Sequence, residues 1–150
     1  SLEEQVLKLF FKNRNGMEYF TTLGGNPVSC AVGLEVLNVV LEEGLQEHAR
    51  RAGERMLDGL RPFVDRFPLV GDVRGAGLFL GAELVRDRVT LEPAAEEAAF
   101  VSNRMREHGI LLGTDGPYHN VVKIRPPMPF DEINANLLVK VMDKVLSADF

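Results

Sequence analysis

The sequence predicts an α+β fold: a small, mostly antiparallel sheet of about four strands with helices packed on one face, preceded by a long buried interface helix. Two observations carry that expectation. Helical spacing of apolar residues fills positions 27–67, then yields to short apolar runs separated by glycine turns. It returns over 93–108 and again from Asp131, so strands and helices are partly segregated along the chain rather than strictly alternating.

Leu2 to Lys12 reads as a short amphipathic helix, with Leu2, Val6, Leu9 and Phe10 near helical spacing. Asn13 to Gly16 breaks it, and Met17 to Gly25 reads as a loop or extended stretch. Asn26-Pro27 is a helix start, because Asn caps free backbone N–H groups and Pro suits the first helical position. From Pro27 to about Glu43 apolar residues nearly surround the axis, which predicts burial against another surface, and Gly44 stops the helix. A second helix runs from Leu45 to Phe67, with a stripe of Leu45, His48, Ala52, Met56, Leu60, Phe63 and Val64 and a break at Pro62.

Two strands follow, Leu69 to Arg74 and Leu78 to Val85, joined through Gly75-Ala76-Gly77. Pro93 to His108 is helical, stopped by Gly109. Ile110 to Leu112 and Val121 to Arg125 read as strands around the Asp115-Gly116-Pro117 turn, and Pro126-Pro127 ends the second by removing ladder donors. Asp131 starts a last helix that turns Ile133, Leu137, Leu138, Val141, Met142 and Val145 inward.

A length of 150 residues predicts a single core-forming domain, and 45% apolar with 26% charged residues is ordinary for a globular chain. The net charge of -5 is spread over interspersed acids and bases. A nucleic-acid partner needs a concentrated basic surface and is not expected. There is no unbroken apolar run of membrane-spanning length and no signal-peptide pattern, so no membrane partner is expected. A single cysteine, Cys30, suits a reducing setting, and the expected location is cytoplasmic.

His48, His108 and His119 are widely spaced and no metal-ligand motif is present, so no metal is expected. Gly75, Gly77 and Gly81 fail the dinucleotide fingerprint, since the third is one position late and a strand follows. Neither Ser29 nor Ser102 sits in a nucleophile elbow. The stretch Tyr19 to Pro27 combines two hydroxyls, two adjacent glycines and a helix start. Those features suit either an anion-binding loop or a polar loop that caps a helix.

Three ordered blocks carry a family resemblance: YFTTLGGNPVSCAVG (Tyr19–Gly33), VRGAGLFLG (Val73–Gly81) and VKIRPPM (Val122–Met128). Together they resemble the C-terminal small domain of class III, fold-type I pyridoxal-phosphate aminotransferases. The wording is closest to the branch that contains the phosphoethanolamine and phosphohydroxylysine phospho-lyases. On this resemblance residues 15–150 are that small domain, and 1–14 are a helical leader or linker with little likeness to the family.

The resemblance implies several roles. Thr22, with the backbone at Thr21, would bind the cofactor phosphate of a neighbouring subunit, while Asn26 and Pro27 position the loop. Lys123 stands where many members place an arginine that binds a substrate carboxylate, and Arg125 directly precedes the paired prolines. Lysine lacks the two-pronged fork that fits a carboxylate, yet it meets a phosphate as a point charge. The Schiff-base lysine, the aspartate on the pyridine nitrogen and the stacking aromatic belong to the family's large domain. No catalytic residue is therefore expected in this chain, and it should not transaminate alone.

The expected partners are its own large domain, a second subunit of a homodimer, and small amine and oxo-acid substrates. The cofactor implied for the complete enzyme is pyridoxal phosphate. Two alternatives stay open: part of a phospho-lyase acting on phosphorylated amino alcohols, and a stand-alone, non-catalytic oligomerisation or interaction domain.

Overall fold

The computed structural model describes residue 22 and residues 24–150. The helix expected over Leu2 to Lys12 and the expected cofactor residue Thr21 lie outside the described residues. The chain divides into two compact units, residues 1–37 and 38–150.

Helix α1 (Pro27–Glu42) starts as its sequence dictates. The Asn26 Oδ1 accepts the backbone N–H of Val28 at 3.0 Å and of Ser29 at 3.2 Å. Among the described residues none of this helix is buried. Val28, Val32, Leu34, Val36, Leu37 and Leu41 are each more than half exposed. The burial expected for this helix thus requires a surface that the described residues do not supply.

In the second unit α2 (Leu45–Leu60) sinks Ala52, Gly53, Met56, Leu57 and Leu60, an apolar stripe at helical spacing. It ends at the turn before Pro62, and a single helical turn, α3 (Phe63–Arg66), follows. The break falls where the missing proline N–H requires it. Strands β1 (Val70–Ala76) and β2 (Phe79–Asp87) form an antiparallel hairpin. Its loop is Gly77-Leu78 rather than Gly75 to Gly77; Gly77, at φ +53°, takes the left-handed position.

A two-residue edge strand, β3 (Glu92–Pro93), pairs with β2, and α4 (Ala95–Glu107) begins only after it. The helix start expected at Pro93 is therefore displaced. Pro93 serves instead in an edge strand, where a residue without N–H is tolerated. Helix α4 buries Ala98, Val101 and Met105 and carries Glu96 and Glu97 in its first turn and Arg104 and Arg106 in its last, complementing its dipole.

The next strand also departs from its expected place. β4 is Gly113–Asp115, not Ile110 to Leu112, and pairs with β5 (Val121–Ile124). Ile110 and Leu112 are partly buried against the core as the lead-in to that strand. The ladder partner, not local apolarity, fixes where β4 begins.

Helix α5 (Glu132–Asp149) is capped by Asp131, whose Oδ1 accepts the Asn134 N–H at 2.8 Å. Its inward face is Ala135, Leu138, Met142, Val145 and Leu146. Two residues expected to point inward do not: Ile133 and Leu137 are 77% and 49% exposed. Buried spacing of three and four around Leu138 leaves both on the flank.

The antiparallel sheet has the order β1-β2-β5-β4, with β3 beside β2. Along β2 and β5 the buried residues Leu80, Ala82, Leu84, Val122 and Ile124 alternate with less buried Gly81, Glu83, Val121 and Lys123. The buried set faces helices α2, α4 and α5 and forms one core with Met56, Leu60, Val101, Met105 and Met142. Gly81, Glu83, Val121 and Lys123 share the opposite face. No described helix is long and apolar enough to cross a membrane.

Candidate functional site

The site residues expected from sequence fall in two places. Thr22 is exposed, in a bend that leads through the Gly24-Gly25 turn into α1. Gly25 has φ +75°, and a Cβ added there would meet nothing within 4 Å, so the turn depends on glycine conformation rather than on close packing. The first amides of α1 are already taken by Asn26. The helix start is therefore held closed by its own cap. An exposed hydroxyl is a chemically suitable phosphate donor.

Lys123 and Arg125 come from the same chain segment but open onto different depressions. Arg125 lines a groove of about 310 Å³ with Pro126, Pro127, Phe130 and Asn134. Lys123 lines a cleft of about 380 Å³ on the sheet face away from the helices, with Arg74, Phe79, Gly81, Asp115 and Val121.

Strand register builds this cleft. Arg74 pairs with Gly81, Gly81 with Lys123, and Lys123 with Gly113, so one row crosses four strands. Arg74 and Lys123 flank Gly81, one strand away on either side, with backbones roughly 10 Å apart. Gly81 carries no side chain between them, and the Val121 side chain lies over that position instead. A Cβ there would stand 2.8 Å from Val121 Cγ1.

Both cations in the cleft are engaged. The Lys123 ammonium donates to Asp115 Oδ2 at 2.7 Å, and Arg74 Nη1 donates to Asp72 at 2.7 Å and to Glu83 at 2.6 Å. Asp115 Oδ1 accepts the Gly116 N–H at 2.8 Å. The Lys123 ammonium first, and that N–H second, hold the Asp115 carboxyl below its usual range.

Arg74, Phe79, Gly81 and Asp115 are absent from the site residues expected from sequence. The VRGAGLFLG block contains three of them, but only the register shows that they meet Lys123. Among the described residues no group of three or more His, Cys, Asp or Glu is placed to hold a metal ion.

Known proteins agree with this architecture. The profile of the family described as aminotransferase class-III matches residues 4–146. An "alanine--glyoxylate aminotransferase 2-like" protein of Drosophila melanogaster is 48% identical over 122 residues, covering 81% of this chain and 25% of its own length. A phospholyase from Arthrobacter, solved in complex with phosphoethanolamine, superposes with a TM-score of 0.81 at 33% identity, over 96% of this chain and 33% of its own. An amine transaminase from an uncultivated Pseudomonas species, solved in its PLP-bound form, gives a TM-score of 0.76 at 31% identity, over 91% and 30%. The chain thus spans about a quarter of the curated relative and about a third of each solved structure.

Proposed function

Because the chain belongs to the aminotransferase class-III family, we propose that it is the small domain of a pyridoxal-phosphate enzyme that transfers an amino group between an amine or amino acid and an oxo acid. The observation that carries this reading is the family match across residues 4–146, in a chain that spans a quarter of its curated relative. The relative solved with PLP supports the cofactor.

Bound pyridoxal phosphate supplies an electron sink for the substrate carbon. This chain's part is to bind and orient. Thr22 donates its hydroxyl to the cofactor phosphate of a second subunit, with the backbone at Thr21 beside it. Lys123 holds the anionic group of the substrate on the open sheet face, and Arg125 is a second substrate-binding cation on the groove beside the paired prolines. The exposed apolar residues of α1 are the surface that packs against the large domain and a second subunit of a homodimer in this reading. The Schiff-base lysine lies in that large domain, so this chain alone does not transaminate.

A second reading is favoured by a specific feature. Lys123 presents a point charge rather than the fork that fits a carboxylate, and a point charge still meets a phosphate. Together with the likeness to a phospholyase bound to phosphoethanolamine, this supports a phospho-lyase acting on phosphorylated amino alcohols.

One assay separates the two readings. The full-length, cofactor-loaded protein is given phosphoethanolamine, or an amino donor with an oxo acid. Amino transfer to the oxo acid without phosphate release is the expected result. Release of inorganic phosphate establishes the second reading, and neither product from loaded protein would contradict both.

A further inference from the structure

We propose that Asp115 is the resident counter-anion of Lys123: it holds the ammonium at the cleft wall and competes for it with the anionic group of the substrate. This rests on the reading of Lys123 as the anion anchor.

Asp115 and Lys123 are diagonal neighbours, since Asp115 pairs with Val121 and Lys123 with Gly113. They project from the same face of adjacent strands and meet at 2.7 Å. The carboxylate has one contact besides the lysine. Its other oxygen accepts the Gly116 N–H at 2.8 Å, and Gly116 sits at φ +85° in the turn that follows.

An ammonium has three donors, and Asp115 takes one. The Lys123 side chain is 33% exposed, which leaves the others an approach from the cleft. The second cation of the cleft gives no surplus charge, because Arg74 is already shared by Asp72 and Glu83. Two cations thus face three carboxylates in direct contact with them. An entering anion gains only what Lys123 can share, and Asp115 weakens that gain by like-charge repulsion. Asp115 is accordingly a positioning residue that keeps anion affinity moderate.

The test titrates inorganic phosphate into full-length protein already loaded with cofactor, so that the cofactor's own phosphate site is filled. Asp115→Asn keeps an acceptor for the Gly116 N–H but removes the charge, and phosphate affinity should rise roughly fivefold. Asp115→Glu keeps the charge and should stay near wild type. In a Lys123→Met background Asp115→Asn should have no effect. Unchanged or weaker binding in Asp115→Asn, while Lys123→Met still weakens binding, overturns this proposal and leaves the anchor standing. If Lys123→Met leaves phosphate affinity unchanged, the anchor itself fails and this proposal with it.

Discussion

Gly53 of α2 lies so close to the turn of the β1–β2 hairpin that a Cβ on it would stand 1.9 Å from the Gly77 carbonyl oxygen. Helix and hairpin are packed backbone against backbone there. This contact sets the depth at which α2 sits on the sheet that carries Arg74 and Gly81.

Gly53→Ala tests that contact. In an open helix the change stabilises by up to about 1 kcal/mol. Here the obstruction is main chain and cannot rotate away, so a loss of about 1–3 kcal/mol is expected. A lower urea midpoint with an unchanged slope is the expected signature. Unchanged or raised stability would show that helix and hairpin are not in main-chain contact.

Arg88 gathers the chain end of α3. Its guanidinium donates to the carbonyls of Phe67 at 2.8 Å, Val70 at 3.0 Å and Pro68 at 3.2 Å, and also to that of Val64. Arg88→Ala should cost about 1.5–3 kcal/mol, the scale of hydrogen bonds to a charged group. Arg88→Lys should recover only part of that, because an ammonium cannot reproduce the planar fork. Thermal unfolding of the two variants side by side checks the order.

Asp87 predicts an acid limb of stability. Its Oδ1 accepts the backbone N–H groups of Thr90 and Val89, each at 2.7 Å. These bonds, Thr90 first, hold the carboxyl below its ordinary value of 3.8. A lowered folded pKa stabilises the fold above the unfolded value, and the contribution is lost as pH falls through the folded one. Unfolding midpoints should therefore decline below about pH 4, and less steeply in Asp87→Asn. Identical acid limbs in the two proteins would show that Asp87 contributes nothing to the decline.

Thr22→Ala, made in the full-length protein, should weaken cofactor retention by about 1.5–3 kcal/mol, the cost of one charge-assisted hydrogen bond. Equilibrium dialysis against pyridoxal phosphate measures it. Unchanged retention would take Thr22 out of the site.

Much of this fold is legible in the sequence where one residue acts locally. Asn26 and Pro27 announce α1, Pro62 ends α2, and Asp131 caps α5. The expectations that fail depend on partners distant along the chain. β4 forms at Gly113–Asp115 because β5 pairs there, although Ile110 to Leu112 is the more strand-like run. Pro93 joins an edge strand because Val85 is opposite it. Ile133 and Leu137 are apolar yet exposed, since helical spacing alone does not say which flank meets α2 and α4.

The candidate site divides along the same line. Thr22, Lys123 and Arg125 stand out through the three motif blocks and the resemblance they carry. The salt bridge from Lys123 to Asp115 and the cleft shared with Arg74 need the register of four strands, which composition and periodicity do not encode.

The proposed function requires that this chain work as one domain of a longer enzyme. The intact mass of the protein bearing this sequence in its source cells tests it most directly. A species several hundred residues long, with a bound pyridoxyl group recovered after borohydride reduction, is the predicted result. A species of about 150 residues carrying the full activity would contradict it.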